Sequence, residues 1–153
     1  MINKDIIDKV KYFNFPALSS EVIKNLISKL NVNFSKEFLD LAKVANFEYF
    51  DCFPINNLDL EADCSVIGDT LRLRNSSSLP QNTLFLWEDD ASVLLMKCLG
   101  DREEIYWIAV EDFENFCEEK PLLYEPTIFL TFPDFFEYLA KEEEKMSASG
   151  NKQ

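Results

Sequence analysis

Apolar residues recur through the first third of the chain at the three-and-four spacing of amphipathic helices. Between residues 3 and 13, Ile6, Ile7, Val10 and Phe13 share a face, and Pro16 bars continuation. Ser19 or Ser20 can cap a second helix whose stripe is Val22, Ile23, Leu26, Ile27 and Leu30, with asparagines at 31 and 33 to stop it. Ser35 caps a third, with Phe38, Leu41, Ala42 and Ala45 on one side. Asn46, a residue that tolerates a left-handed turn, ends it.

The period then changes. Glu48–Phe53 is short, aromatic and strand-like, and Asn56–Asp63 reads as an acidic loop. Thr70–Arg74 alternates Leu71 and Leu73 with Arg72 and Arg74, as a half-exposed strand does. After a turn-rich NSSSLPQN, Thr83–Trp87 and Ser92–Cys98 form a hairpin around Glu88–Ala91. A second turn at Gly100–Arg102 leads into Glu104–Val110. These three runs are apolar on both parities, which places them centrally in a sheet covered by helices. Residues 111–126 read as a short helix or loop insertion around Phe113, Phe116 and Cys117. Thr131–Asp134 opens a closing helix that buries Phe132, Phe135, Phe136, Leu139 and Ala140. Lys141–Lys145 is its solvated end, and a disordered polar tail covers 146–153. The expected fold is α+β: N-terminal helices, a mostly antiparallel (or mixed) sheet of about five to six strands, and a C-terminal helix packed on it, in one domain over 1–145.

Composition adds a core and a charge. A chain of 153 residues can bury roughly 70% of its unfolded surface, and 14 phenylalanines supply the material. The formal charge is −13, and it is unevenly spread: net +1 over residues 1–50 and −14 over 51–153. Such a surface repels nucleic acid and anionic membranes and steers a basic protein toward it, although solubility alone also accounts for acidity. The N-terminal stretch alternates charged and apolar residues without a signal-like apolar segment. The four cysteines have no CxxC spacing, so a reducing cytoplasm is the expected compartment, with the cysteines as small core residues.

Chemistry is sparse. The chain has no histidine, which removes the usual general base and every Ser-His or Cys-His arrangement. It has no metal-ligand spacing and no glycine-rich phosphate loop, so neither metal nor cofactor is expected, and no enzyme. Glu88, Asp89 and Asp90 form the densest acidic cluster, either a solvated turn or a partner contact. If the two hairpin turns share a rim, Asp101, Glu103 and Glu104 join them as a partner-binding set.

One ordered pattern goes further. The helix Val22–Leu30 leads into Phe34-Ser-Lys-Glu-Phe38-Leu-Asp-Leu41-Ala-Lys-Val-Ala-Asn46, and Leu79-Pro80, TLFLW, LLMKCL, EIYWI and TFPDFFEYL follow in order. Across residues 20–144 the chain resembles the SUKH superfamily, the cell-wall-synthesis-regulator-type immunity proteins, as a divergent member. Phe34 stands at the family's leucine, Phe38 at its aromatic, Leu41 and Ala42 at its apolar pair, Asn46 at its asparagine, and Phe132 in the step that opens the closing helix. Ser35 replaces the usual proline, and Phe47 the usual glycine. The resemblance implies an intracellular protein that binds and neutralises a polymorphic toxin, frequently a nuclease. A regulatory scaffold that binds a host protein is the alternative.

Overall fold

A computed structural model describes residues 3–59 and 65–150. It is an α+β structure in element order α1 (Lys4–Phe13), α2 (Ser20–Leu30), α3 (Lys36–Ala42), a 3-10 turn (Phe47–Tyr49), α4 (Val66–Ser76), β1 (Thr83–Glu88), β2 (Ser92–Cys98), β3 (Glu103–Ala109), a 3-10 turn (Val110–Asp112), α5 (Phe113–Cys117), β4 (Thr127–Phe129) and α6 (Phe132–Gly150). The strands form one antiparallel sheet in the order β1-β2-β3-β4. Part of the acidic loop read at 56–63, with Cys64, lies outside the described residues. Among the described residues no helix is long and apolar enough to cross a membrane.

Local chemistry sets the helix ends. Ser19 and Ser35 accept from Val22 N and Phe38 N, and Thr131 Oγ1 accepts from Asp134 N at the start of α6. Asn14 and Asn31 terminate α1 and α2 in the left-handed region, at φ 60° and 54°. Asn46 does not. It is extended (φ −74°, ψ 119°), because α3 has already ended at Ala42, and its side chain caps the 3-10 turn by accepting from Glu48 N.

Two expected strands are absent. Glu48–Phe53 is a 3-10 turn followed by irregular chain. Phe47, Phe50 and Phe53 are all buried at a spacing of three, a period that turns rather than extends the backbone. Thr70–Arg74 lies inside α4. The alternation there covers too few positions to decide, whereas the wider set Val66, Ile67, Thr70 and Leu73 is buried at helical spacing under a Ser65 cap. Leu71 and Leu73 accordingly meet opposite environments, 39% and 8% exposed. The sheet therefore has four strands, and one of them, β4, has no counterpart in the strand pattern read from the sequence. Helix α6 continues past Met146, where the polar tail begins in the sequence reading, to Gly150, and residues 151–153 lie outside the described residues.

The sheet separates two apolar layers. On one face Leu84, Leu86, Leu94, Met96 and Ile105 pack with α1, α2, α3 and α6. Phe34, Phe38, Leu41 and Phe132 meet there. Phe38 stacks on Phe34 at 4.2 Å and meets Phe132 edge-on at 4.5 Å, Phe47 lies 5.4 Å from Phe132, and Leu41 is buried beside them. Truncating one such ring to alanine costs about 3–5 kcal/mol. The other face is more thinly covered: Phe85, Val93, Leu95 and Ile108 pack under Leu73, Leu79, Phe116 and Cys117. As expected, β1, β2 and β3 are apolar on both sides because helices cover both.

Candidate functional site: the two ends and the outer edge of the sheet

Consecutive hairpins of an antiparallel meander turn at opposite ends. Glu88–Ala91 lies at the start of β2 and Leu99–Arg102 at its end, so the two turns are about 20 Å apart along a seven-residue strand. The six acidic residues expected on one rim are thus divided between two ends, and they are not equivalent.

At the first end, Glu88, Asp89 and Asp90 are all exposed. Asp89 is also structural: its Oδ1 accepts from Ala91 N and Ser92 N, both at 2.8 Å. These two backbone donors, with the Ser92 hydroxyl, hold the carboxyl below the ordinary aspartate value despite slight desolvation. The turn is therefore locked, with Glu88 and Asp90 projecting from it, and no cation among the described residues pairs with either. Val110 N donates to Ala91 O at 2.9 Å, which brings exposed Glu111 to the same end.

At the second end only Asp101 is freely exposed, with an ion pair to Arg102 at 3.5 Å. Glu103, expected on the surface, is fully buried. Its carboxylate accepts from Ser35 N at 2.7 Å and from Ser35 Oγ at 2.6 Å, tying the start of α3 to the start of β3. Burial pushes its pKa up against those two bonds. The identity of residue 35 matters here, since a proline at this position would have no N–H to donate. Glu104 is half-buried and engaged within the chain: it accepts from the Tyr106 hydroxyl at 2.8 Å and from Arg102 at 3.3 Å. Tyr106, desolvated and donating to Glu104, is pushed up to about 12, and Lys97 lies 5.1 Å over its ring.

The residues that sequence patterns missed lie along β4 and the loop before it. Asp112 is buried, and its two oxygens accept from Leu123 N at 2.7 Å and Tyr124 N at 2.9 Å, with the Asn115 amide at 3.4 Å. Desolvation raises this carboxyl, but those three donors outweigh it and leave it below its ordinary value. The side chains on the tethered backbone point outward. Leu123 is 72% exposed and Tyr124 58%, and farther along Ile128 is 42% and Leu130 62% exposed. An aspartate before a short aromatic helix carries no sequence signal for this, because its partners lie eleven and twelve residues on.

An apolar-lined cleft of about 440 Å³ lies elsewhere, between Ile7, Leu41, Val44 and Pro133, with Lys36, Glu37 and Asp40 also lining it. Among the described residues no group of three or more Cys, Asp or Glu side chains could hold a metal ion. Comparisons of the chain with family models, with curated proteins and with solved structures returned no match.

Proposed function

We propose that this chain is a non-catalytic binding protein that captures a basic protein partner, and that it acts as an intracellular immunity protein against a polymorphic toxin. The observation that carries the reading is the acidic end of the sheet, where Asp89 locks the turn that presents Glu88 and Asp90 beside Glu111. A turn-locked anionic rim, with no cation among the described residues paired to Glu88 or Asp90, on a chain of charge −13 accelerates encounter with a cationic surface and selects against anionic ones. Toxins that cleave nucleic acid need a cationic surface to grip phosphates, so an acidic protein that covers that surface also blocks its activity.

The test is co-expression with the product of a toxin-carrying reading frame adjacent to this gene. Restored growth and a purified heterodimer support the reading, and a toxic neighbour that neither binds nor is relieved overturns it. Within such a complex, Glu88→Lys with Asp90→Lys spares the turn-locking Asp89 and should slow association about tenfold or more at low salt, with a weaker salt dependence. An unchanged on-rate removes this end of the sheet from the contact.

A further inference from the structure

The outer edge of β4 is open, and the loop that leads into it is tethered to Asp112 through Leu123 N and Tyr124 N. By the geometry of an antiparallel ladder, alternate N–H and C=O groups of Thr127–Phe129 face away from β3, and among the described residues no hydrogen bond reaches them from that side. Ile128 lies opposite Tyr106, on the thinly covered face, and Leu123, Tyr124 and Leu130 flank the strand. Exposed strand edges are normally blunted by charge, proline or a covering element, since they template pairing with another chain. A contiguous exposed apolar patch on a monomer often marks an interaction site.

We propose that the β4 edge is a docking strip for an extended, lysine- or arginine-bearing segment of a partner protein, which adds to the sheet as a fifth strand. Backbone pairing along β4 supplies affinity, and apolar side chains on alternate positions of the incoming strand meet Ile128 and its flanking residues. Charge selects the occupant. Between residues 118 and 134 the chain carries Glu118, Glu119, Glu125 and Asp134 against one cation, Lys120. That cation is already paired with Glu118 at 2.7 Å. A second copy of this chain would bring two such acidic borders together, whereas a basic strand neutralises them. The tether from Asp112 to the backbone of Leu123 and Tyr124 holds part of the strip in place before binding, which lowers the ordering cost. This inference rests on the reading of the chain as a binder of basic proteins and says where, and in what conformation, the partner is held.

The experiment titrates the 15N-labelled protein with a capped heptapeptide of alternating lysine and valine. Two control peptides, lysine/serine and glutamate/valine, separate charge from apolar content. The expected result is amide shifts concentrated in residues 123–130 with the lysine/valine peptide, and binding at least tenfold weaker for both controls. N-methylation at alternate peptide positions should likewise weaken binding at least tenfold, because it removes the edge-facing donors. Equal binding of lysine/serine and lysine/valine, indifference to N-methylation, or shifts confined to residues 88–111 overturns the proposal. So does a concentration-dependent dimer of the free protein that Ile128→Lys abolishes, which assigns the edge to a second copy. The variant Leu123→Ser/Ile128→Lys changes exposed positions and should melt within a few degrees of wild type. It should bind the neighbouring gene product at least tenfold more weakly. Unchanged binding there sinks the docking strip while leaving the immunity reading intact. Failure of the wild type to bind that product sinks the immunity reading, and the peptide titration still decides the strip.

Discussion

At the β1 edge the outward Phe85 N–H donates to Thr70 Oγ1 at 2.9 Å, and the outward Leu86 carbonyl accepts from Asn56 N at 2.8 Å. Helix α4 and the chain around Asn56 therefore occupy the positions a neighbouring strand would take. Asn56 is itself fixed, since its Nδ2 donates to Asp69 at 3.0 Å. At the β4 edge no such contact is made among the described residues: the strand is three residues long, and large apolar side chains beside it face solvent. Both edges belong to the same sheet and face the same need to satisfy backbone groups. One satisfies them from within the chain and the other leaves them to water or to a partner. The difference teaches that the open edge is not a general looseness of the fold, because the same fold closes the opposite edge with side-chain precision.

The strongest way to break the comparison is to open the closed edge. Thr70→Val keeps the shape of a fully buried side chain but removes the acceptor, leaving the Phe85 N–H buried and unpaired. That costs about 2 kcal/mol, read as a lower denaturant midpoint, with faster amide exchange at Phe85 preceding exchange in β2. A midpoint equal to wild type means that water enters to replace the hydroxyl and that the edge is not closed by Thr70.

The two sides of the sheet also hold buried acids with opposite titration behaviour. Glu103 has its folded pKa raised, chiefly by burial. Its contribution to stability is complete below the unfolded glutamate value of about 4.3, and declines as pH rises through the folded value. Glu103→Gln removes that titration while keeping an oxygen for Ser35 N, and the serine hydroxyl can turn to accept from the new amide. The variant should match wild type in acid to within about 1 kcal/mol and gain on it as pH is raised above about 4.3. Parallel stability curves from acid to neutral pH contradict the assignment.

Much of the closed side was legible in sequence. Ser19, Ser35 and Thr131 announce their helices through short-range capping that a linear pattern contains, and the Phe38 and Phe132 stripes announce their burial. The failures share a cause: the deciding partner is remote. Glu103 looks like one more surface acid at a turn until Ser35, 68 residues earlier, is folded against it. TLRLR alternates like a strand, and only its neighbours Val66 and Ile67, and the β1 amide that Thr70 receives, show why it is a helix. Thr127–Phe129 is too short to display any period, and Leu123 and Tyr124 fall in the stretch 111–126, read only as a short helix or loop insertion, because composition does not record which way a side chain faces. The acidic cluster at 88–90 was visible as charge, yet which other acids join it depends on hairpin order, which pairs it with Glu111 and separates it from Asp101.

The smallest effect is the sharpest, because it separates the open edge from a merely disordered one. Asp112 presents one oxygen to each of two amides, and Asp112→Asn replaces one of those oxygens with a donor that faces another donor. The global transition should move little, since few apolar groups depend on this contact. Amide exchange at Leu123 and Tyr124 should instead rise at least tenfold. In the wild type the same two amides should loosen in acid: the folded carboxyl titrates below the unfolded aspartate value of about 3.9, so its hold is complete above that pH and is lost as pH falls through the folded value. The variant should show no such acid step once intrinsic exchange rates are removed. It should also bind the lysine/valine strand more weakly than wild type, although every exposed apolar side chain is still present, because the strip then has to be ordered on binding. Equal affinity with faster exchange would mean that the edge needs only its side chains, and the contrast with β1 would then be one of exposure rather than of preorganisation.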